Sequence, residues 1–312
     1  MFPCRKNNAQ QAMLPQGCTV FDNPVGTAPG CAFSCNGVHV LMLPGPPHEM
    51  ETMLRRCAIP YLRRLSQEVI VSRDIMTFGM GESSVDQLLH ETMSHMENPT
   101  LATYAKPCEV RLRATAKAAD TAQAEAMLSP VVEQVRAALG DIVYGIDVEN
   151  LESVCLSLLK ERHLTLATAE SCTGGLVAQR ITALPGASAV FRGGVVSYWT
   201  EIKAAVLGVP QEILDQYGAV SEQTARAMAQ GARRITGADL AVSVTGVAGP
   251  DPDERGTPRG HRLYRSGHPT GTFCRKMDSG RRRRDRIRGL AANHAFDVLR
   301  RYLTDLPVEA LL

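Results

Sequence analysis

"LTLATAESCTGGLVAQRITAL", residues 164–184, decides how the chain is read. Leu164 to Ala169 is a threonine-rich apolar run with the pattern of a strand. From Leu176 the apolar positions Val177, Ile181 and Leu184 recur at helical spacing. The segment between them, Ser-Cys-Thr-Gly-Gly, is therefore a strand-to-helix turn, with Ser171 at the junction. Two readings of Ser171 stand. As an N-cap, its oxygen accepts a free amide of the first helical turn. As a nucleophile, it sits where the positive end of a helix dipole favours a developing oxyanion, and Gly174 and Gly175 admit a substrate close to the backbone.

A serine hydroxyl needs a base. His163, His261, His268 and His294 stand in contexts without a companion acid. A second stretch, "FRGGVVSYWTEIKAAVLGV", offers another base: an apolar strand ends at Tyr198, and Lys203 follows on the opening turn of a helix. A desolvated lysine has a lowered pKa and acts as a base when neutral, whereas a solvated surface lysine does not. A third stretch, "LAVSVTGVAGPD", runs the strand Leu240 to Val244 into a glycine-rich turn. There Thr245, Gly246 and Gly249 supply donors for a phosphate or carboxylate, or form a plain strand-end turn. Three strand ends finishing in small polar residues make a crevice at the carboxyl edge of a sheet.

Outward from this core, "NLESVCLSLLKERH" is a helix and "GDIVYGIDVEN" reads as a linker before it. Residues 67 to 146 alternate strand and helix: "EVIVSRDIMTF", "GESSVDQLLHETM", "EVRLRATAKA" and "DTAQAEAMLSPVVEQVRAAL". That is a compact α+β module. Residues 1 to 66 are turn-rich around the strand "VHVLML", with a helix from His48 to Leu65.

The length of 312 residues implies two or three domains. With 34 basic against 32 acidic residues, no global field recruits nucleic acid or membrane. No apolar run approaches the ~20 residues that cross a bilayer, and the N-terminus lacks a signal-peptide core, so a cytoplasmic chain is expected. Nine scattered cysteines without CxxC or zinc-like spacing read as reduced thiols, and no metal is expected.

The blocks "TAESCTGGLVAQRIT", "FRGGVVSYWTEIKAAVLGV", "YGAVSEQTARAMAQGA" and "VSVTGVAGPD", in this order, resemble the CinA family. Upstream, "TYAKPCEVRLRATAKA" resembles its KH-like middle domain, and "RKNNAQQAMLPQGCTVFDNPVGTAPG" with "LPGPPHEM" resembles the end of its molybdopterin-binding-like N-terminal domain. The resemblance implies an α/β fold class: a truncated molybdopterin-binding-like remnant at 1–66, a KH-like α+β domain at 67–146 and a three-layer α/β/α domain at 147–312. It also implies cofactor-free hydrolysis of nicotinamide mononucleotide to nicotinate mononucleotide and ammonia, by a homodimer. Carried over by motif, Ser171 is the nucleophile, Lys203 its base and Tyr198 a helper. Amides near Thr173 and Gly174 hold the oxyanion, with Gly175 beside them, and Thr245, Gly246, Gly249 and Arg288 are candidates for the substrate. The neighbouring run Arg281 to Arg284 reads as a solvated face.

The sequence departs from the family twice. It begins inside the N-terminal domain, so residues 1–66 are expected to form an incomplete sheet with exposed apolar surface and to lack the family's ADP-ribose hydrolysis. After "GPDPDERGTP", where the family has a strand like "VGTVYIGLA", this chain has "RGHRLYRSGHP", polar and without alternation. One choice of codons for 261–269, read one base later, spells TVYIGLATP, as a local frameshift restored near Thr270 does. Burying Arg259, His261, Arg262, Arg265 and His268 unpaired costs several kcal/mol, so the segment is expected to loop out or destabilise the domain. Two other readings compete with the deamidase. One is a non-catalytic interaction protein of the competence or damage response, against which "FGMGESS" is a poor GXXG loop and no basic aromatic stripe exists. The other is a nonfunctional fragment.

Overall fold

The structure, a computed structural model, describes residues 10–11, 13–66, 68–253, 255–256, 261–268, 271–278 and 282–308. Between 261 and 278 it describes the backbone and the side chain of Arg275 only. The fold is mixed α/β, in two compact units: Met1–Ile70 with Lys117–Ala124, and Val71–Ala116 with Glu125–Leu312.

In the first unit, β1 (Thr19–Phe21), β2 (Gly30–Cys35) and β3 (Val38–Met42) form a three-stranded antiparallel sheet. Phe21 and Ala32 pack with Met53 and Ala58 of the helical stretch α1 (Pro47–Met53) and α2 (Ile59–Leu65), which a π-helical turn at Leu54–Ala58 joins. Val20, Val38, Met42, Leu62 and Leu65 remain exposed.

The middle of the chain makes a four-stranded sheet in the order β5-β6-β4-β7, from β4 (Val69–Thr77), β5 (Thr100–Lys106), β6 (Glu109–Ala118) and β7 (Val143–Ile146), with helices α3 (Glu82–Ser94) and α4 (Thr121–Leu139). The expected linker "GDIVYGIDVEN" thus contains an edge strand, pairing antiparallel with β4 through Ile75 and Ile146.

The rest is a five-stranded sheet, order β12-β11-β10-β8-β9. Here β8 (Leu166–Glu170) lies between β9 (Phe191–Val196) and β10 (Leu240–Gly246), parallel to both. β11 (His261–His268) and β12 (Gly271–Asp278) add on antiparallel. Both faces of the central strands are covered, so alternation sorts side chains by size rather than by polarity. Leu166, Leu240, Val242 and Val244 pack with α5 (Leu151–Glu161), α6 (Leu176–Thr182) and α10 (Arg284–Leu303). Ala167, Ala169 and Ala241 pack with α9 (Glu222–Thr236) on the other face. The alanines let α9 lie close, and Gly231 continues this closeness: a Cβ there would meet the Leu207 carbonyl oxygen at 2.0 Å.

The strand at 261–268 corrects the expectation that this segment loops out. Ala241 to Gly246 pair with Gly267 to Arg262, and β12 pairs along the other edge of the segment. Ladder hydrogen bonds are made by the main chain, so two flanking strands hold a third whatever its side-chain pattern. Arg259 lies outside the described residues, as do the side chains of His261, Arg262, Arg265 and His268.

Candidate functional site

The chain runs from β8 to β9 on one side, then through α7 (Thr200–Ala205), α8 (Gln211–Tyr217) and α9 back to β10 on the other. The carboxyl ends of these three parallel strands therefore surround a point where the strand order reverses, the usual place for a crevice in an open α/β sheet. A cleft of about 620 Å³ opens there. Ser171 and Cys172 line it from the end of β8, Tyr198 from the end of β9, Lys203 from α7, and Thr245 to Gly249 from the end of β10.

Ser171 is 8% exposed and is not a helix cap. The N-cap of α6 is Gly175, at φ +92°, a backbone that a side chain at Cβ disfavours. The first-turn amides of Val177 and Ala178 instead donate to the Glu170 carboxylate, at 3.1 and 2.8 Å. Ser171 is fixed by its own N–H, which donates to the Val244 carbonyl at 3.0 Å and extends the ladder between β8 and β10.

Lys203 is 1% exposed although it is a lysine, and its helix presents Ile202 and Val206 outward. Its Nζ lies 3.1 Å from Ser171 Oγ, 2.6 Å from the Ser197 carbonyl and 3.4 Å from the Tyr198 carbonyl. All three partners are uncharged, so burial is not offset by a carboxylate. Desolvation lowers the amine from its ordinary 10.5 to about 8. Once neutral, the amine keeps two N–H bonds for the two carbonyls and has a lone pair for the Ser171 proton.

The remaining residues divide. Tyr198 lines the cleft, but its hydroxyl accepts from Arg284 Nη2 at 2.7 Å. The Thr245 hydroxyl donates to the Ala219 carbonyl at 2.7 Å, so its proton is committed and it does not serve as a phosphate donor. Gly246 and Gly249 line the cleft, and the Gly249 carbonyl accepts from Arg284 Nη1 at 2.6 Å. Thr173, Gly174, Gly175 and Arg288 do not line it. Thr173 is wholly buried, and its carbonyl accepts both Arg288 Nε and Nη2, at 3.3 and 2.7 Å. The Gly174 N–H donates to the Ser171 carbonyl at 3.0 Å, which removes it as the oxyanion donor. Arg288 thus holds the carbonyl of the turn through two of its N–H groups. His163 and His294 stand away from the cleft, His294 being buried edge-on against Phe78.

Sequence reasoning missed Arg284 and Arg255, both on the cleft wall. Arg284 is one of four consecutive arginines and is exposed like Arg282 and Arg283, but at the start of α10 its guanidinium reaches the Gly249 carbonyl and the Tyr198 hydroxyl at the cleft wall. The guanidinium of Arg255 donates to the carbonyls of Leu214, Asp215 and Gln216 at the end of α8. Glu170 was missed as well: it stands beside Ser171 in sequence, but its contacts depend on the fold.

Two family comparisons fit this arrangement. The CinA C-terminal domain matches residues 148–303, and the damage-inducible protein CinA KH domain matches residues 72–145. A CinA-like protein of Desulfovibrio desulfuricans is 45% identical over 311 residues, which is 99% of this chain and 73% of that protein. The chain belongs to the CinA family. A CinA-like protein of Kosmotoga olearia is 43% identical over 304 residues, covering 96% of this chain and 73% of its own length. Among solved structures, a competence-damaged protein (CinA) superfamily protein from Klebsiella pneumoniae is 31% identical, covering 50% of this chain and 99% of its own, with a TM-score of 0.48. Among the described residues of this CinA chain, no helix is long and apolar enough to cross a membrane.

Proposed function

We propose that the chain is an amidohydrolase converting nicotinamide mononucleotide to nicotinate mononucleotide and ammonia, by a serine nucleophile and a lysine base. The observation that carries this reading is the 3.1 Å contact between Ser171 Oγ and a buried Lys203 Nζ with no carboxylate among its partners. Neutral Lys203 takes the Ser171 proton as Oγ attacks the carboxamide carbon. The resulting ammonium gives that proton to the departing nitrogen, the C–N bond breaks, and ammonia leaves an acyl ester on Ser171. Water then attacks the ester while Lys203 takes its proton, and that proton returns to Ser171 Oγ as the nicotinate carboxyl departs. The cleft volume suits a mononucleotide. Arg284 and Arg255 are the guanidiniums on a wall that also carries Glu201, Asp215, Asp251 and Asp253, and they would meet its phosphate by exchanging bonds they now make to carbonyls and to the Tyr198 hydroxyl.

The test is ammonia release from nicotinamide mononucleotide by the purified chain, beside a Ser171→Ala control. Release by the wild type and none by the control is expected. Equal release by both, or none by either, removes the proposal. A homodimer in the cytoplasm belongs to the same reading, and the mass of the purified chain in solution checks the dimer.

A further inference from the structure

Glu170 is 1% exposed and has no ion-pair partner among the described residues. Its two carboxylate oxygens bond the amides of Val177 and Ala178, and so close the loop 171–175 into a ring whose base is the residue just before the nucleophile. Its main-chain carbonyl does a second job. It accepts the Ser197 N–H at 2.8 Å, and the Ser197 carbonyl in turn accepts Lys203 Nζ at 2.6 Å. One residue thus fixes Ser171 through its side chain and the acceptor of Lys203 through its backbone.

We infer that Glu170 is a positioning residue that sets the separation of Ser171 Oγ and Lys203 Nζ, without touching the substrate or exchanging a proton. The inference rests on the serine–lysine reading above. The two functions of Glu170 differ in what mutation removes. Any substitution keeps the carbonyl, so the Lys203 side of the pair is retained. Only the carboxylate side is lost, and with it the grip on the loop. Two acceptors are required because two amides point at them. Glutamine offers one oxygen and turns an N–H₂ donor toward the other amide, leaving a buried N–H opposed by a donor. The loop must then shift, and displacing a reacting group by about 1 Å costs on the order of 10²-fold in rate.

The experiment compares wild type, Glu170→Gln and Glu170→Asp in two measurements. The first is the pH profile of kcat and KM on nicotinamide mononucleotide, per folded molecule. For Glu170→Gln, kcat is expected to fall about 10- to 100-fold with KM within about twofold and the apparent pKa still near 8, since burial and not Glu170 depresses the amine. Glu170→Asp, which keeps both acceptors, is expected to recover part of the loss, and it also carries the test if the glutamine variant does not fold. A shifted pKa with kcat retained at the plateau overturns the positioning role in favour of electrostatic tuning, and an unchanged kcat overturns it outright. The second measurement is the crystallographic Oγ–Nζ separation in the same proteins. Opening beyond hydrogen-bond reach in Glu170→Gln supports the inference, and a separation still near 3.1 Å overturns it. Wild-type protein inactive on the nucleotide removes the proposed function alone, and this separation then decides the role of Glu170.

Discussion

Lys203 and Arg301 are each about 1% exposed, yet their surroundings differ in one respect. Lys203 hydrogen-bonds only to carbonyls and a hydroxyl, and the nearby Cys172 thiol offsets its burial only in part. Arg301 shares the buried Asp297 carboxylate with Arg275 and Arg300, at 3.1, 2.7 and 2.7 Å, and reaches Asp141 at 2.6 Å. Arg275 and Arg301 also donate to the carbonyls of Val308 and Pro307, so the cluster clasps the chain that follows α10. Burial penalises a charge in both places. Where a carboxylate answers it, the cation is structural. Where only dipoles answer it, the proton becomes easy to remove, which is what a base requires.

The largest expected effect follows from removing the uncompensated cation. Lys203→Met should lower kcat/KM on nicotinamide mononucleotide by about 10³- to 10⁴-fold, near the upper range for a general base. The same substitution should stabilise the protein. The folded pKa of about 8 lies below the ordinary 10.5. The unfolded chain therefore holds this proton more tightly, and the folding penalty is fully present below pH 8. At about 1.4 kcal/mol per pK unit this penalty is roughly 3 kcal/mol, from which lost hydrogen bonds subtract. A net gain of about 1–3 kcal/mol at pH 7 is expected, fading as pH approaches 10.5. Denaturant melts of both proteins at pH 7 and pH 10 check it, and a methionine variant less stable at pH 7 contradicts the comparison.

At the other site the sign reverses. Asp297→Ala leaves three buried guanidiniums without their shared carboxylate and should cost about 3–5 kcal/mol, while kcat per folded molecule stays within about twofold. Burial alone would raise the Asp297 carboxyl, but Arg300 and Arg275 outweigh it and hold the group below the ordinary carboxylate range. Its contribution is therefore intact at neutral pH and is lost only as pH falls through that depressed value. Melts of the two proteins should differ equally at pH 7 and pH 5 and converge in strong acid.

A gentler probe leaves the sequence untouched. If the neutral amine is the active form, kcat/KM should rise about tenfold per pH unit up to about 8 and level above it. A flat profile between pH 6 and 9 places the base elsewhere.

What the sequence reveals and hides follows the same division between pattern and context. β6 is legible because Val110, Leu112, Ala114 and Ala116 alternate strictly with partly exposed residues, and the structure buries those four. The crevice is legible because strand ends in an α/β sheet must converge where the order reverses. β7 is not, since four residues at a sheet edge carry too little periodicity to separate strand from linker. The segment 261–268 misleads for a different reason: its side chains argue against a strand, but β10 and β12 offer it hydrogen bonds on both edges. Within the site, Ser171 and Lys203 are named by local motif. Arg284 depends on which way a helix start turns, Glu170 on a ring closed seven residues on, and the committed Thr245 hydroxyl on a loop 26 residues away.

Arg288 offers the smallest effect and the finest distinction. Among the described residues its guanidinium is neither ion-paired like Arg301 nor on the cleft wall like Arg284: two of its N–H groups converge on the Thr173 carbonyl, and its Nη2 lies 3.4 Å from where a Cβ on Gly174 would stand. A phosphate ligand at this position would show itself in KM, because the interaction would be made equally in ground and transition states. A support for the nucleophile turn shows itself in kcat, because binding at the cleft wall is untouched while Ser171 loses aim. Arg288→Met should therefore lower kcat about 5- to 10-fold, roughly 1 kcal/mol at the transition state, with KM within about twofold. Arg284→Met, by contrast, should raise KM more than it lowers kcat. Steady-state kinetics of the two variants side by side decide between these roles, and a KM rise in Arg288→Met would return that residue to the substrate.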